Sequence, residues 1–165
     1  MKIVDDSKII FSELDMNDFE KLKSFLYDLN PLQARASIDI NAERAKNGKI
    51  YAVYNGEKII GSCWCLNLAI LNYKVGGIGG VGVSEGYRKK KIGTGLIKYM
   101  LSFEKKKYDA LLLWTRVSIF FKHFDFEDFT YGIMTNEDDS MPMILTENEE
   151  LKIEAMNNKW PRIKF

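Results

Sequence analysis

Residues 75–96 constrain this chain more than any other stretch. They read Val-Gly-Gly-Ile-Gly-Gly-Val-Gly-Val over 75–83, then Ser84-Glu85-Gly86-Tyr87, the cations Arg88-Lys89-Lys90-Lys91, and Ile92-Gly93-Thr94-Gly95-Leu96. Val75, Val81 and Val83 are branched residues at odd positions, as a strand places them, although Ile78 is off phase. So many glycines predict that something approaches this strand closely. The loop then opens a helix, and a helix N-terminus carries unpaired backbone N–H groups and partial positive charge. Glycines let an anion reach that backbone, and four adjacent cations add attraction, so together they form a candidate pyrophosphate cradle.

The rest of the chain supplies an ordered set of elements around that stretch. An opening strand is expected over Lys8 to Phe11. A helix follows, with Asp15 as N-cap, Asp18 in its first turn, and Phe19, Leu22, Leu26 and Leu29 at helical spacing, ending at Asn30-Pro31. A short polar helix is expected over Asn41 to Asn47, stopping at Gly48. Strands Ile50 to Tyr54 and Lys58 to Leu66 flank the hairpin signal Asn55-Gly56. The helix after the loop shows Ile92, Leu96, Tyr99 and Phe103 as a buried stripe. Ala110 to Thr115 is a continuous apolar run, predicted as a buried strand. Ser118 to Phe124 reads as one more short helix. Phe129 to Ile133 and Pro142 to Thr146 read as closing strands joined by the polar loop Asn136 to Ser140. This order predicts a single α/β domain over 1–165 with helices on both faces of one sheet.

Composition narrows the function classes. The 165 residues are 46% hydrophobic and 28% charged, with 24 Lys/Arg against 23 Asp/Glu and a net charge of +1. Bulk charge therefore gives no argument for a nucleic-acid or membrane partner. No apolar run is long enough to span a bilayer, and Asp5-Asp6 interrupts any signal-peptide core, so a cytoplasmic location is expected. Cys63 and Cys65 are expected to be small buried residues in a reduced compartment. With a single histidine they make no zinc site, and no metal is expected.

The 80–96 stretch resembles the cofactor loop of the GNAT superfamily of N-acetyltransferases, which runs Arg/Gln-x-x-Gly-x-Gly/Ala after a strand ending in alternating valines. Arg88, Ile92 and Gly93 match it in place, as do the flanks Val81, Val83, Tyr87 and Leu96, whereas Lys91 stands where the family has glycine. Phe120-Phe121-Lys122-His123-Phe124-Asp125-Phe126 is similar to the family's Phe-Tyr-x-x-x-Gly-Phe segment. The element order fits the family from about residue 8 to about residue 146.

The resemblance implies a mixed, mostly antiparallel central sheet flanked by helices on both faces. It also implies acetyl-CoA as co-substrate. The backbone of Val81, Gly82 and Val83 would pair with the pantetheine arm. Arg88, Lys89, Lys90, Lys91, Ile92, Gly93, Thr94 and Gly95 would hold the pyrophosphate. The implied reaction is transfer of acetyl to a primary amine of a small molecule or peptide by direct attack. The alternative is a non-catalytic acyl-CoA-binding sensor or interaction module. Phe121 stands at the family's usual acid, a tyrosine, and glycines 76–80 stand where some members carry a carboxylate base. Lys91 either spends backbone freedom at a left-handed position or adds a phosphate contact, and the second is expected here.

Other features have plainer readings. Glu85, just past the strand, is the one candidate catalytic residue, as a base through water. Gly77 to Gly82 matches the dinucleotide fingerprint by accident, since strand residues rather than a helix follow it. His123 reads as a packing or surface residue, Trp64 and Phe129 as core or pocket wall, and Tyr131 as a core or cross-strand residue. A basic-patch RNA-binding protein is a third reading of Arg88 to Lys91, although no nucleic-acid or membrane partner is expected, and a homodimer is left open. Charge is unevenly placed: Glu85 to Lys107 holds eight Lys/Arg against two Asp/Glu, and Asp125 to Glu154 holds ten Asp/Glu against one Lys. A basic loop suits anionic CoA. An acidic C-terminal third, including Glu137, Asp138 and Asp139, suits a cationic acceptor.

Overall fold

A computed structural model describes residues 8–30, 46–70, 72–129 and 140–157. The strands are β1 (Ile9–Glu13), β2 (Gly48–Asn55), β3 (Lys58–Ile70), β4 (Tyr73–Val83), β5 (Ala110–Thr115), β6 (Glu127–Asp128) and β7 (Met141–Leu145). The helices are α1 (Phe19–Leu29), α2 (Ile92–Glu104), α3 (Ser118–Lys122) and α4 (Glu149–Asn157). The seven-stranded sheet has the order β1-β2-β3-β4-β5-β7-β6. Pairing is antiparallel for β1/β2, β2/β3, β5/β7 and β6/β7 and parallel for β4/β5, which matches the mostly antiparallel sheet expected from the sequence.

The chain divides into two compact units, Met1–Leu66 with Gly80–Leu101, and Asn67–Gly79 with Ser102–Phe165. In the first, Ile50 and Ala52 of β2 pack with Leu22 and Phe25 of α1. The alternate residue Tyr51 turns to the other face, where its ring meets Tyr99 of α2 edge-on at 6.1 Å. Helices therefore cover both faces of this part of the sheet. In the second unit, Val75, Ala110, Leu112 and Ile144 from three strands pack with Phe129 and with Leu151 of α4.

Several sequence expectations hold in detail, and others shift. Asp15 caps a short 3-10 turn, Met16–Asp18, accepting from the Asn17 amide at 2.9 Å, and α1 follows from Phe19. β5 occupies the apolar run from Ala110 to Thr115. The buried stripe of α2 is different from the one expected. Ile92 and Leu96 are buried, but so are Ile97, Met100 and Glu104, while Phe103 is 48% exposed. Ile97 and Met100 turn the buried face roughly a quarter turn round the helix, which carries Phe103 out and Glu104 in. Glu104 accepts from the Lys107 ammonium at 2.8 Å.

The strand expected over Phe129 to Ile133 lies outside the described residues except for Phe129, and the described strand β6 is Glu127–Asp128, opposite Ile144 and Met143. Phe129 lies just past it, its amide donating to the Pro142 carbonyl at 2.9 Å. Helix α4 was not expected. Asn148 starts it, its side chain accepting from the Leu151 amide at 3.0 Å ahead of Glu149 and Glu150. The polar helix expected over Asn41 to Asn47 lies almost wholly outside the described residues, as do Tyr131, Glu137, Asp138 and Asp139. No helix among the described residues is long and apolar enough to cross a membrane.

Candidate functional site

The glycine-rich strand keeps Val75 to Ile78 fully buried, so Ile78 is accommodated without strict alternation. The pattern breaks at Gly80, whose φ is +58°. A Cβ built at Gly80 would lie 1.9 Å from the Trp64 ring, and one at Gly82 would lie 2.6 Å from a Leu29 methyl. At these two positions the close approach expected from the glycines is made by the protein's own side chains. Trp64 thereby holds the left-handed residue in place from the adjacent strand. The pairing of β5 with β4 runs only from Val75 to Ile78, so past it Gly80 to Val83 has β3 on one side and no paired strand on the other among the described residues. An edge strand presents backbone donors and acceptors in a row, which suits an extended ligand.

Past Val83 the chain stays in contact with β3 for one more residue, the Ser84 amide donating to the Ile60 carbonyl at 2.8 Å. Glu85–Tyr87 form a 3-10 turn, and a tight turn over 88–91 leads into α2. Lys89 and Lys91 both have left-handed backbones, at φ +62° and +61°. Lys91 thus adopts the conformation for which glycine is favoured, so the backbone cost set aside in the sequence reading is present. It amounts to about 1–2 kcal/mol per residue for an L side chain.

The hydrogen bonds of this loop leave a run of donors open. The Tyr87 amide donates to Ser84, the Arg88 amide to Glu85, and the Gly95 amide to the Lys91 carbonyl at 2.9 Å. Between them, the amides of Lys89 through Thr94 have no acceptor among the described residues. The first turn of α2 carries no acidic side chain. Arg88 to Lys91 are all exposed. Arg88 commits Nε to the Val83 carbonyl at 3.0 Å and Lys90 rests 5.8 Å from the Tyr87 ring centre. Open amides at a positive helix end, ringed by cations, bind anions.

The remaining sequence candidates are spread over both units. Glu85 is exposed at the start of the 3-10 turn. Phe121 is buried, its ring edge-on to Phe120 at 5.0 Å and to Phe126 at 5.9 Å, so no hydroxyl stands at that place. Asp125, aligned with the family's glycine in that segment, has φ +65°. Trp64 and Phe129 are core residues. The exposed His123 faces its own helix, Nδ1 lying 2.7 Å from the Ile119 carbonyl. Cys63 and Cys65 are buried. No group of three or more metal-ligating side chains occurs among the described residues.

Sequence reasoning missed the supports of the loop. Asn55 Nδ2 donates to the Tyr87 hydroxyl at 3.2 Å. The neighbouring Tyr54 hydroxyl donates to Asp18 at 3.1 Å, and burial, with that bond second, pushes its pKa up to about 12. Asp18 in turn is held below the usual carboxylate range, chiefly by the Lys21 ammonium at 2.8 Å. The Asn55-Gly56 signal identified the hairpin but gave no hint of what its side chains would reach. A cavity of about 1000 Å³ in the second unit contains none of the sequence-predicted residues. Much of its wall is satisfied internally, through Lys105–Glu147 at 2.8 Å and the Thr146 hydroxyl on the Asp109 carbonyl at 2.7 Å.

Comparisons with known proteins converge. A family model described as the acetyltransferase (GNAT) family matches residues 11–122. Among solved structures, an aminoglycoside 6′-N-acetyltransferase complexed with coenzyme A superposes with a TM-score of 0.70. The two are 16% identical over 83% of this chain and 96% of that one. A GNAT-family acetyltransferase from Staphylococcus aureus Mu50 superposes with a TM-score of 0.65 at 17% identity, over 82% of this chain and 97% of that one. At these identities the likeness is one of fold. No protein with a curated description matches the sequence.

Proposed function

The chain belongs to the acetyltransferase (GNAT) family, and from that premise we propose that it moves an acetyl group from acetyl-CoA to a primary amine of a small molecule or peptide. The observation that carries this reading is the start of α2, where six consecutive amides lack an acceptor among the described residues and four cations stand without an acid. A diphosphate supplies the charge and the acceptor oxygens that this turn lacks. Arg88, Lys89, Lys90 and Lys91 draw it in, and the amides of Lys89 to Thr94 fix it. The Gly95 amide is already bonded to Lys91 and a Cβ there would lie 2.7 Å from the Phe11 ring, so Gly95 serves the packing of α2 against β1 rather than the diphosphate directly. The edge of β4 at Val81 to Val83 offers backbone groups to the pantetheine arm.

The thioester supplies an acetyl carbonyl that the neutral amine attacks directly, forming the C–N bond as the C–S bond breaks. The nitrogen sheds its proton to water, with Glu85 as the proposed relay. Phe121 offers no proton to the departing sulfur. A thiol ionises near pH 8.5, far below an alcohol, so it leaves as the thiolate without a dedicated acid. The acidic C-terminal third, with Glu137, Asp138 and Asp139, favours a cationic acceptor by steering.

A second reading, a non-catalytic acyl-CoA-binding module, is favoured by one observation, the buried hydrocarbon ring of Phe121 at the usual acid position. Two measurements separate them. Acetyl-CoA is expected to raise the unfolding temperature, and a panel of amines is expected to release CoA thiol. Stabilisation without thiol release from any amine supports the binding module. Absence of stabilisation overturns both.

A further inference from the structure

The turn that carries the open amides is bonded internally only at its ends, through Arg88 to Glu85 and Val83 and through the Gly95 amide to the Lys91 carbonyl. Two of its residues are left-handed lysines, and its amides from Lys89 to Thr94 bond nothing among the described residues. Between those ends support comes from outside the turn, and the tip of the β2/β3 hairpin is placed to give it. The β2/β3 register runs Val53↔Gly61 and then Tyr54↔Ile59, which makes Ile60 the extra residue of a bulge. The carbonyl of Ile60 accepts from the Ser84 amide and anchors the start of the loop.

Past the bulge, the last two residues of β2 point to opposite faces. Tyr54 reaches Asp18 at the start of α1, and Asn55 reaches the Tyr87 hydroxyl. The ring of Tyr87 then carries the Lys90 ammonium. Asn55 is not needed for the hairpin itself, because the left-handed turn position is filled by Gly56 at φ +60°.

We infer that Asn55 is a positioning residue for the donor-binding loop, holding Tyr87, and through it the 88–91 turn, in the shape that presents the open amides. This rests on the donor reading above. Loss of the brace leaves the same binding groups in place but disordered, so the expected effect is on donor affinity rather than on the chemical step. One neutral hydrogen bond corresponds to about a fivefold change.

The test uses the whole chain and CoA itself. By calorimetry, Asn55→Ala and Tyr87→Phe each weaken CoA about fivefold, and the double variant is no weaker than either single. With acetyl-CoA and a working amine, KM for the donor rises by the same factor and kcat holds. Tyr87→Phe removes one oxygen and keeps the ring, so it serves if Asn55→Ala fails to fold. Wild-type affinity in both single variants, or effects that multiply in the double variant, overturns the brace. Failure of the wild-type protein to bind CoA overturns the donor reading instead. In that case the backbone order parameters of Lys89 to Thr94, measured without ligand, decide the brace. They fall in Asn55→Ala if it exists, and unchanged values overturn it.

Discussion

Helices α1 and α2 begin in opposite ways. At α1 the protein supplies its own anions: Asp15 caps the preceding turn, Asp18 precedes the helix and Glu20 sits in its first turn. Helix α4 follows the same rule with Asn148, Glu149 and Glu150. At α2 the protein supplies Arg88 to Lys91 and no acid. Positive charge at a positive helix end is unfavourable, whereas an acid there contributes about 0.3–1 kcal/mol. The start of α2 thus forgoes stability that α1 and α4 take. Under the proposed function α2 is the end kept open for an anion from outside, whereas the others are closed by the chain itself.

The largest effect is expected from closing α2 in the manner of α1. Lys91→Asp replaces a cation with an acid that tolerates the left-handed backbone and offers an internal acceptor to the open amides. Affinity for CoA is expected to fall about 100-fold, the scale of losing one or two charge-assisted hydrogen bonds. The unfolding temperature without ligand is expected to rise. Calorimetry with CoA and a thermal melt on the same sample check both signs. Retained affinity would remove the contrast between the two helix starts.

The reverse experiment opens α1. Asp15→Ala removes the acceptor of the Asn17 amide and should lower stability by about 1 kcal/mol. Affinity for CoA should stay at the wild-type value, because nothing at α1 is reserved for the donor. Urea unfolding and calorimetry read the two quantities. A smaller gain is expected from Lys91→Gly. Relief of the left-handed lysine outweighs the extra freedom of glycine in the unfolded chain, for a net stabilisation of about 0.5 kcal/mol. CoA binding weakens a few-fold from the lost charge. Together with Lys91→Asp, this variant separates what the charge at position 91 does from what its backbone does.

The legible parts of the fold were those written in local chemistry. Asp15 and the spacing from Phe19 to Leu29 located α1, Asn55-Gly56 located the hairpin, and the unbroken run from Ala110 to Thr115 located β5. The loop from Arg88 to Gly95 was legible because charge, glycine and a helix start coincide there. What escaped depends on tertiary neighbours. Gly80 takes its left-handed backbone beneath the ring of Trp64, sixteen residues away in sequence. Asn55 finds Tyr87, 32 residues away in sequence, at the end of a hairpin whose register shifts at Ile60. Phe103 fits the periodicity of α2 as well as Met100 does, and only packing chooses between them. Helix α4 did have a local signal, Asn148 followed by Glu149 and Glu150, of the kind that identified α1.

The smallest effect expected concerns how firmly the acids at α1 are engaged. Asp18 accepts from Tyr54 and pairs with Lys21, and burial together with the Asp18 bond raises the Tyr54 pKa to about 12 from an ordinary value of 10.0. Folded Tyr54 keeps its proton after an unfolded tyrosine has lost one, so its contribution to stability is complete below about pH 10. That contribution falls as pH rises from there through about 12. The stability difference between wild type and Tyr54→Phe should therefore be flat up to about pH 10 and shrink above it. Asp18→Asn should bring the tyrosinate absorbance step of Tyr54 to lower pH, since the charge opposing ionisation is gone. A difference that stays flat to pH 12 would mean that neither burial nor Asp18 holds the Tyr54 proton, and a tyrosinate step that Asp18→Asn leaves unmoved would mean that Asp18 is not committed to Tyr54. Asp15 and Glu20 would still close the start of α1, so the contrast with α2 would then rest on two engaged acids and on Asp18 paired with Lys21 alone.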